Sequence, residues 1–211
     1  MSLIESEAWK QFAALEKEKR KSVKYGEDVI HLDYFSPIIS NEELKNFDEQ
    51  LSKVGLRFSS YDKSGQMTAS LEDFALLSAI ALNDTTVKAI LDNTLSTLAW
   101  ETIKFITLNL YRKMRGKVIT KYTHNTSEEK PMTFGMNASL DENTAYSFKL
   151  DGSEETVLKG MDKILDFLRE QKPNSHYKFP HLTTYNEQAE DWQSLDVEDE
   201  IRKMVKERKK N

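Results

Sequence analysis

Alternation of apolar and polar side chains is clearest between residues 132 and 150. Met132, Phe134, Met136, Ala138 and Leu140 stand at every second position, with Thr133, Gly135, Asn137 and Ser139 between them. After Asp141-Glu142-Asn143 the pattern resumes, with Tyr146, Phe148 and Leu150 alternating with Ala145, Ser147 and Lys149. Successive side chains of a strand point to opposite faces, so this segment predicts an antiparallel hairpin with one buried face. A second hairpin is predicted from Leu56–Tyr61, a turn at Asp62-Lys63-Ser64-Gly65 and a return strand over Gln66–Ser70. Val118–Thr123 reads as a further strand, and Asp28–Pro37 as a short edge strand or an ordered loop.

Other segments repeat at three and four. Ile4, Ala8, Phe12 and Leu15 predict an amphipathic helix over 4–24, which turns highly charged in its second half and ends at Gly26. Ser40 and Glu43 have the capping-box spacing and open a helix with the apolar face Leu44, Phe47, Leu51 and Val54. Residues 72–115 read as mostly helical, with a new start at Asn83-Asp84-Thr85 and one long helix from Thr85 to Arg115, about 46 Å at about 1.5 Å per residue. Val157, Met161, Ile164, Leu165 and Leu168 predict a helix able to cover the 132–150 hairpin. Residues 173–193, with Tyr177, Phe179, Tyr185 and Trp192, read as an aromatic loop, and Val197–Lys210 as a final helix with a basic tip. The fold class is α+β: antiparallel hairpins packed by helices, one long central helix, a helical N-terminal arm and a C-terminal helix. The organisation expected is an arm and connecting segment over 1–39, a core over 40–172, and the aromatic loop and last helix over 173–211.

Composition narrows the chemistry. The chain has no cysteine, which removes disulfides, thiolate catalysis and Cys-ligated metals together. The closest glycines, Gly152 and Gly160, are too far apart for a dinucleotide fingerprint, a Walker loop or a nucleophile elbow. Acids precede bases at the N-terminus, the reverse of a secretory signal, and Lys88, Asp92, Glu101 and Lys104 interrupt the most apolar region. A cytoplasmic protein with no membrane span is expected, and no cofactor or metal.

The four histidines form no metal motif. His31 and Asp33, two apart on a strand, would share a face and could serve a metal-dependent hydrolase given a third ligand from elsewhere. Acid-x-Lys pairs fall outside the best strands, which argues against a nuclease. Asp162 and Asp166 interleave with Lys159 and Lys163 as on a solvated helix face.

What stands out is the distribution of charge. With 30 Lys and Arg against 35 Asp and Glu the net charge is only −5. Yet Thr102–Ser127 holds no acid while carrying Lys104, Arg112, Lys113, Arg115, Lys117 and Lys121. Phe179–Ile201 holds no Lys or Arg, with acids from Glu187 to Glu200. The basic block can complement a helix C-terminus, meet the acidic segment 187–200 within or between chains, or contact nucleic acid or another anion. The long helix also carries Trp100, Phe105 and Tyr111 around its cylinder, and a helix apolar on several faces must be buried on several sides. Together with Trp9, Phe12 and Leu15 of the arm, these are candidate protein-interface residues. The function expected is a non-enzymatic interaction protein, an oligomeric subunit or adaptor binding itself or another protein. A nucleic-acid-associated accessory protein is the alternative.

Overall fold

In the computed structural model the chain is described over residues 7–21, 23–36, 38–65, 76–122, 127–172 and 181–195, apart from the side chains of residues 7–9, 12, 121 and 122. The elements are α1 (Glu7–Arg20), β1 (Val29–Tyr34), α2 (Asn41–Ser52), β2 (Arg57–Asp62), β3 (Ser78–Leu82), α3 (Asp84–Leu91) and α4 (Thr97–Met114). They continue with β4 (Val118–Tyr122), β5 (Ser127–Pro131), β6 (Phe134–Ser139), β7 (Ala145–Leu150), α5 (Glu154–Glu170), β8 (His181–Asn186) and β9 (Asp191–Ser194). Seven strands form a mixed sheet in the order β2-β1-β3-β6-β7-β8-β9, and β4 pairs with β5 in a separate ribbon. The class is α+β, as the alternating and three-to-four patterns imply.

The pleat sorts the sheet into two faces. Ile30, Leu32, Phe58, Ile80, Met136 and Phe148 lie on one of them and are almost completely buried. α2, α4 and α5 close over that face in one continuous core. The opposite face carries smaller or polar residues, including His31, Ser59, Ala81, Asn137 and Ser147. α1 lies against this face at β2, where the Tyr61 hydroxyl donates to Glu16 and Lys19 Nζ donates to the Ser64 carbonyl at 2.5 Å.

The 132–150 hairpin forms in the expected register, with Met136 opposite Phe148. α5 covers it with Met161, Ile164 and Leu168. Other expectations are corrected. Asp28–Pro37 supplies no edge strand: β1 lies inside the sheet between β2 and β3. β2 pairs in parallel with β1, and the proposed return strand 66–70 lies outside the described residues. Within the supposedly helical 72–115 region, Ser78–Leu82 is a central strand, because a five-residue buried apolar run fits strand and helix equally well. The long helix is two helices. α3 stops at Leu91, Asn93 turns left-handed at φ 56°, and the Ser96 hydroxyl accepts from the Ala99 amide to start α4. β4 does not join the main sheet, and 181–194 forms a hairpin rather than a loop, with Trp192 buried. The expected helix 197–210 lies outside the described residues.

The capping box on α2 is present: Glu43 N donates to Ser40 Oγ at 3.3 Å, and Ser40 N donates to Glu43 Oε2 at 3.0 Å. Lys113 of α4 also pairs with Glu43, and that bond, then those from Ser40, hold the Glu43 carboxyl below its ordinary value. The stabilising contribution is therefore complete above the unfolded value of 4.5 and disappears as pH falls through the lower folded value. Glu43→Gln is expected to cost about 1 kcal/mol at neutral pH. It should also flatten the acid limb of stability below pH 4.5, as read by urea midpoints across a pH series. An unchanged acid limb would refute the assignment.

Candidate functional site

Three residues of the basic block, Lys104, Arg112 and Lys113, are drawn into ion pairs. Lys104 Nζ sits 2.8 Å from Glu101 and 2.7 Å from Asp162 of α5. Desolvation opposes its charge, but the two carboxylates outweigh that effect and raise its pKa. Arg112 pairs with Glu154, whose carboxyl it holds below the usual range, and Lys113 pairs with Glu43. In the ribbon, Lys121 stands opposite Glu128 by register. Arg115 and Lys117 are exposed at the corner between α4 and β4 and make no ion pair among the described residues. Among the described residues, the acids that form ion pairs with this block come from α2, α4 and α5. Of the acidic segment, Glu187 accepts from Thr156 Oγ1, and residues 196–200 lie outside the described residues.

The aromatic candidates on α4 separate in the same way. Trp100 and Tyr111 are buried in the chain's own core, and the Tyr111 hydroxyl donates to the Gly152 carbonyl at 2.6 Å. The sheet below, α2 on one flank and α5 on the other explain why this helix is apolar most of the way round. Neither residue is therefore presented at the surface of the described chain. Phe105 is different. It is 53% exposed, and Leu98, two turns earlier on the same stripe, is 65% exposed. α4 and α5 run antiparallel, Lys104 meeting Asp162 and Arg112 meeting Glu154, and Leu158 lies between those two acids on α5, 41% exposed. The outer helix layer thus carries an apolar stripe missed by sequence reasoning except at Phe105. Leu15 of α1 is also exposed, on the far side of the sheet, and the side chains of Trp9 and Phe12 lie outside the described residues.

His31 and Asp33 do share a face, with His31 Nε2 3.2 Å from Asp33 Oδ1 and His31 Nδ1 3.0 Å from Ser59 Oγ. An ionised Asp33 only accepts, so neutral His31 carries its proton on Nε2 and Nδ1 accepts from the Ser59 hydroxyl. The connectivity is that of a serine–histidine–aspartate relay. Its geometry is not that of a nucleophile, because Ser59 is 2% exposed and its Oγ also accepts the Lys24 amide at 2.9 Å. The chain of bonds instead fastens the α1–β1 connection to the sheet. Among the described residues no group of three or more His, Asp and Glu is placed to hold a metal ion.

That fastened connection forms one wall of a cleft of about 500 Å³ against the small-residue face of the sheet. Val29 and Ala81 line its apolar part, His31 and Ser139 its polar part, and Arg20 and Lys24 its rim. No helix is long and apolar enough to cross a membrane among the described residues. No family model matches the chain, and neither a curated protein nor a solved structure matches it.

Proposed function

We propose that the protein is a non-enzymatic, cytoplasmic interaction subunit that pairs with a second copy of itself through the outer face of α4. The observation that carries this reading is the exposure of Leu98 and Phe105 on a helix whose other large apolar side chains are buried. A stripe of this kind on a two-fold axis meets itself, so one patch serves both partners. The flanking pairs, Lys104 with Asp162 on one side and Lys113 with Glu43 on the other, supply the polar rim that surrounds the apolar centre of most interfaces. One helix face is a small contact area, and the pairing is expected to be weak and concentration-dependent.

Light-scattering mass of the full chain across a concentration series tests this. The wild type is expected to rise from 24.5 kDa toward twice that mass, while Leu98→Glu with Phe105→Glu stays at the monomer mass with unchanged circular dichroism. A wild type that remains monomeric at every concentration would overturn the reading. Arg115 and Lys117, which are exposed and make no ion pair among the described residues, favour the alternative of phosphate contacts with nucleic acid. Under that alternative, Arg115→Glu with Lys117→Glu abolishes retention of single-stranded DNA and leaves the mass unchanged.

A further inference from the structure

We infer that the cleft between the α1–β1 connection and the sheet binds a small organic anion with an apolar body. Four features carry the inference independently of the α4 stripe. The first is size: about 500 Å³ lies within the range of pockets that enclose small molecules. The second is charge. Arg20 and Lys24 stand at the rim, and among the described residues no carboxylate lines the cleft, in a protein of net charge −5. Lys24 Nζ pairs with Asp48 at 3.4 Å, and Arg20 meets the Tyr61 hydroxyl, which donates to Glu16; neither acid lines the cleft. An anion in the cleft would meet both cations with no carboxylate among the residues that line it.

The third feature is the lining. Val29 and Ala81 give an apolar floor, and the half-buried Ser139 hydroxyl has no hydrogen-bond partner among the described residues. Small side chains on β3 and β6 leave the room; Ala81 and Ser139 stand where larger residues would fill it. The fourth is preorganisation. Lys24 N is bonded to Ser59 Oγ, and Asn83 Nδ2 donates to the Gly26 and Val29 carbonyls at 3.1 and 3.3 Å. The wall is therefore fixed before any ligand arrives, which lowers the ordering cost of binding. His31 has both ring nitrogens engaged by Ser59 and Asp33 and contributes a ring edge rather than a donor.

The probe for the test is 8-anilinonaphthalene-1-sulfonate, which joins a sulfonate to fused rings. Its fluorescence is titrated with the full-length chain at low and at moderate salt. Saturable one-to-one binding that weakens with salt is expected for the wild type. Ala81→Phe and, separately, Ser139→Leu fill the cleft from neighbouring strands, and Arg20→Gln with Lys24→Gln removes its charge. Each is expected to weaken binding at least about tenfold, a loss comparable to one charge-assisted contact. Leu98→Glu with Phe105→Glu serves as a control that removes the other apolar surface and leaves this binding intact. A correctly folded cleft-filling variant that binds the probe like the wild type would overturn the inference, as would binding lost only in the α4 control.

Discussion

Gly135→Val is expected to prevent the sheet from forming. Gly135 lies in β6 at the centre of the sheet, between β3 and β7. A Cβ built there would fall 2.0 Å from the Phe148 carbonyl oxygen, 3.0 Å from its carbonyl carbon and 2.8 Å from Leu76 Cδ1. A flexible side chain can move aside, but the Phe148 backbone is held in register with Met136 and, on its other side, with Thr183. The glycine is needed for close approach rather than for a left-handed conformation. Overpacking a core position costs about 1–3 kcal/mol and sometimes more, and a backbone clash lies at the upper end. Gly135→Ala should lower the urea midpoint by about that amount. Gly135→Val should approach the total stability of a small domain, about 5–15 kcal/mol, and leave no cooperative transition. A valine variant that unfolds at the wild-type midpoint would contradict the packing described for β6 and β7.

Phe148→Ala is expected to cost about 3–5 kcal/mol. The ring is fully buried and meets Phe167 of α5 edge-on at 5.6 Å and Trp192 of β9 at 4.9 Å. It therefore links three elements, and its loss leaves a cavity that the edge strands cannot close. Trp192 is itself held, its Nε1 donating to the Gly160 carbonyl at 2.8 Å, and urea midpoints followed by circular dichroism read the loss. Phe105→Ala removes the same side chain from an exposed site and should fall within about 0.5 kcal/mol of the wild type. Equal losses at the two positions would refute the division of α4 and the sheet into buried and exposed faces.

Legibility in the sequence followed the strength of local signals. The β6–β7 hairpin was plain because alternation ran through both arms, and α2 and α5 because a cap and a clean stripe coincided. β3 was hidden because Ser78-Ala79-Ile80-Ala81-Leu82 is apolar on both faces and too short to show a period. The break between α3 and α4 was hidden because Asn93 and Ser96 interrupt an apolar rhythm that continues on either side. β8 was masked by its polar residues: Thr183 is buried, with its hydroxyl bonded to the Ser147 carbonyl, where a strand pattern would lead one to look for an aliphatic side chain.

Candidate sites were harder still. The basic block is real in sequence, but its partners Glu43, Glu154 and Asp162 come from distant helices, and only the fold brings them to it. Trp100 and Tyr111 looked available because the all-round apolar character of α4 calls for burial on several sides without telling whether this chain or another supplies the cover. The cleft draws Arg20, Lys24, His31, Ala81 and Ser139 from separate segments, and only the His31–Asp33 spacing hinted at that face.

The self-pairing of α4 is tested most directly by a distance between two copies of it. The chain has no cysteine, so Thr102→Cys places a single nitroxide label between Leu98 and Phe105 on the outer face. Packed helices lie about 8–10 Å apart, so two-fold contact through this face brings the labels close enough for strong dipolar coupling. The account predicts such coupling at high protein concentration, its loss on dilution, and its absence when Leu98→Glu is added. A dimer-sized species without coupling between these labels would place the contact elsewhere and contradict the account.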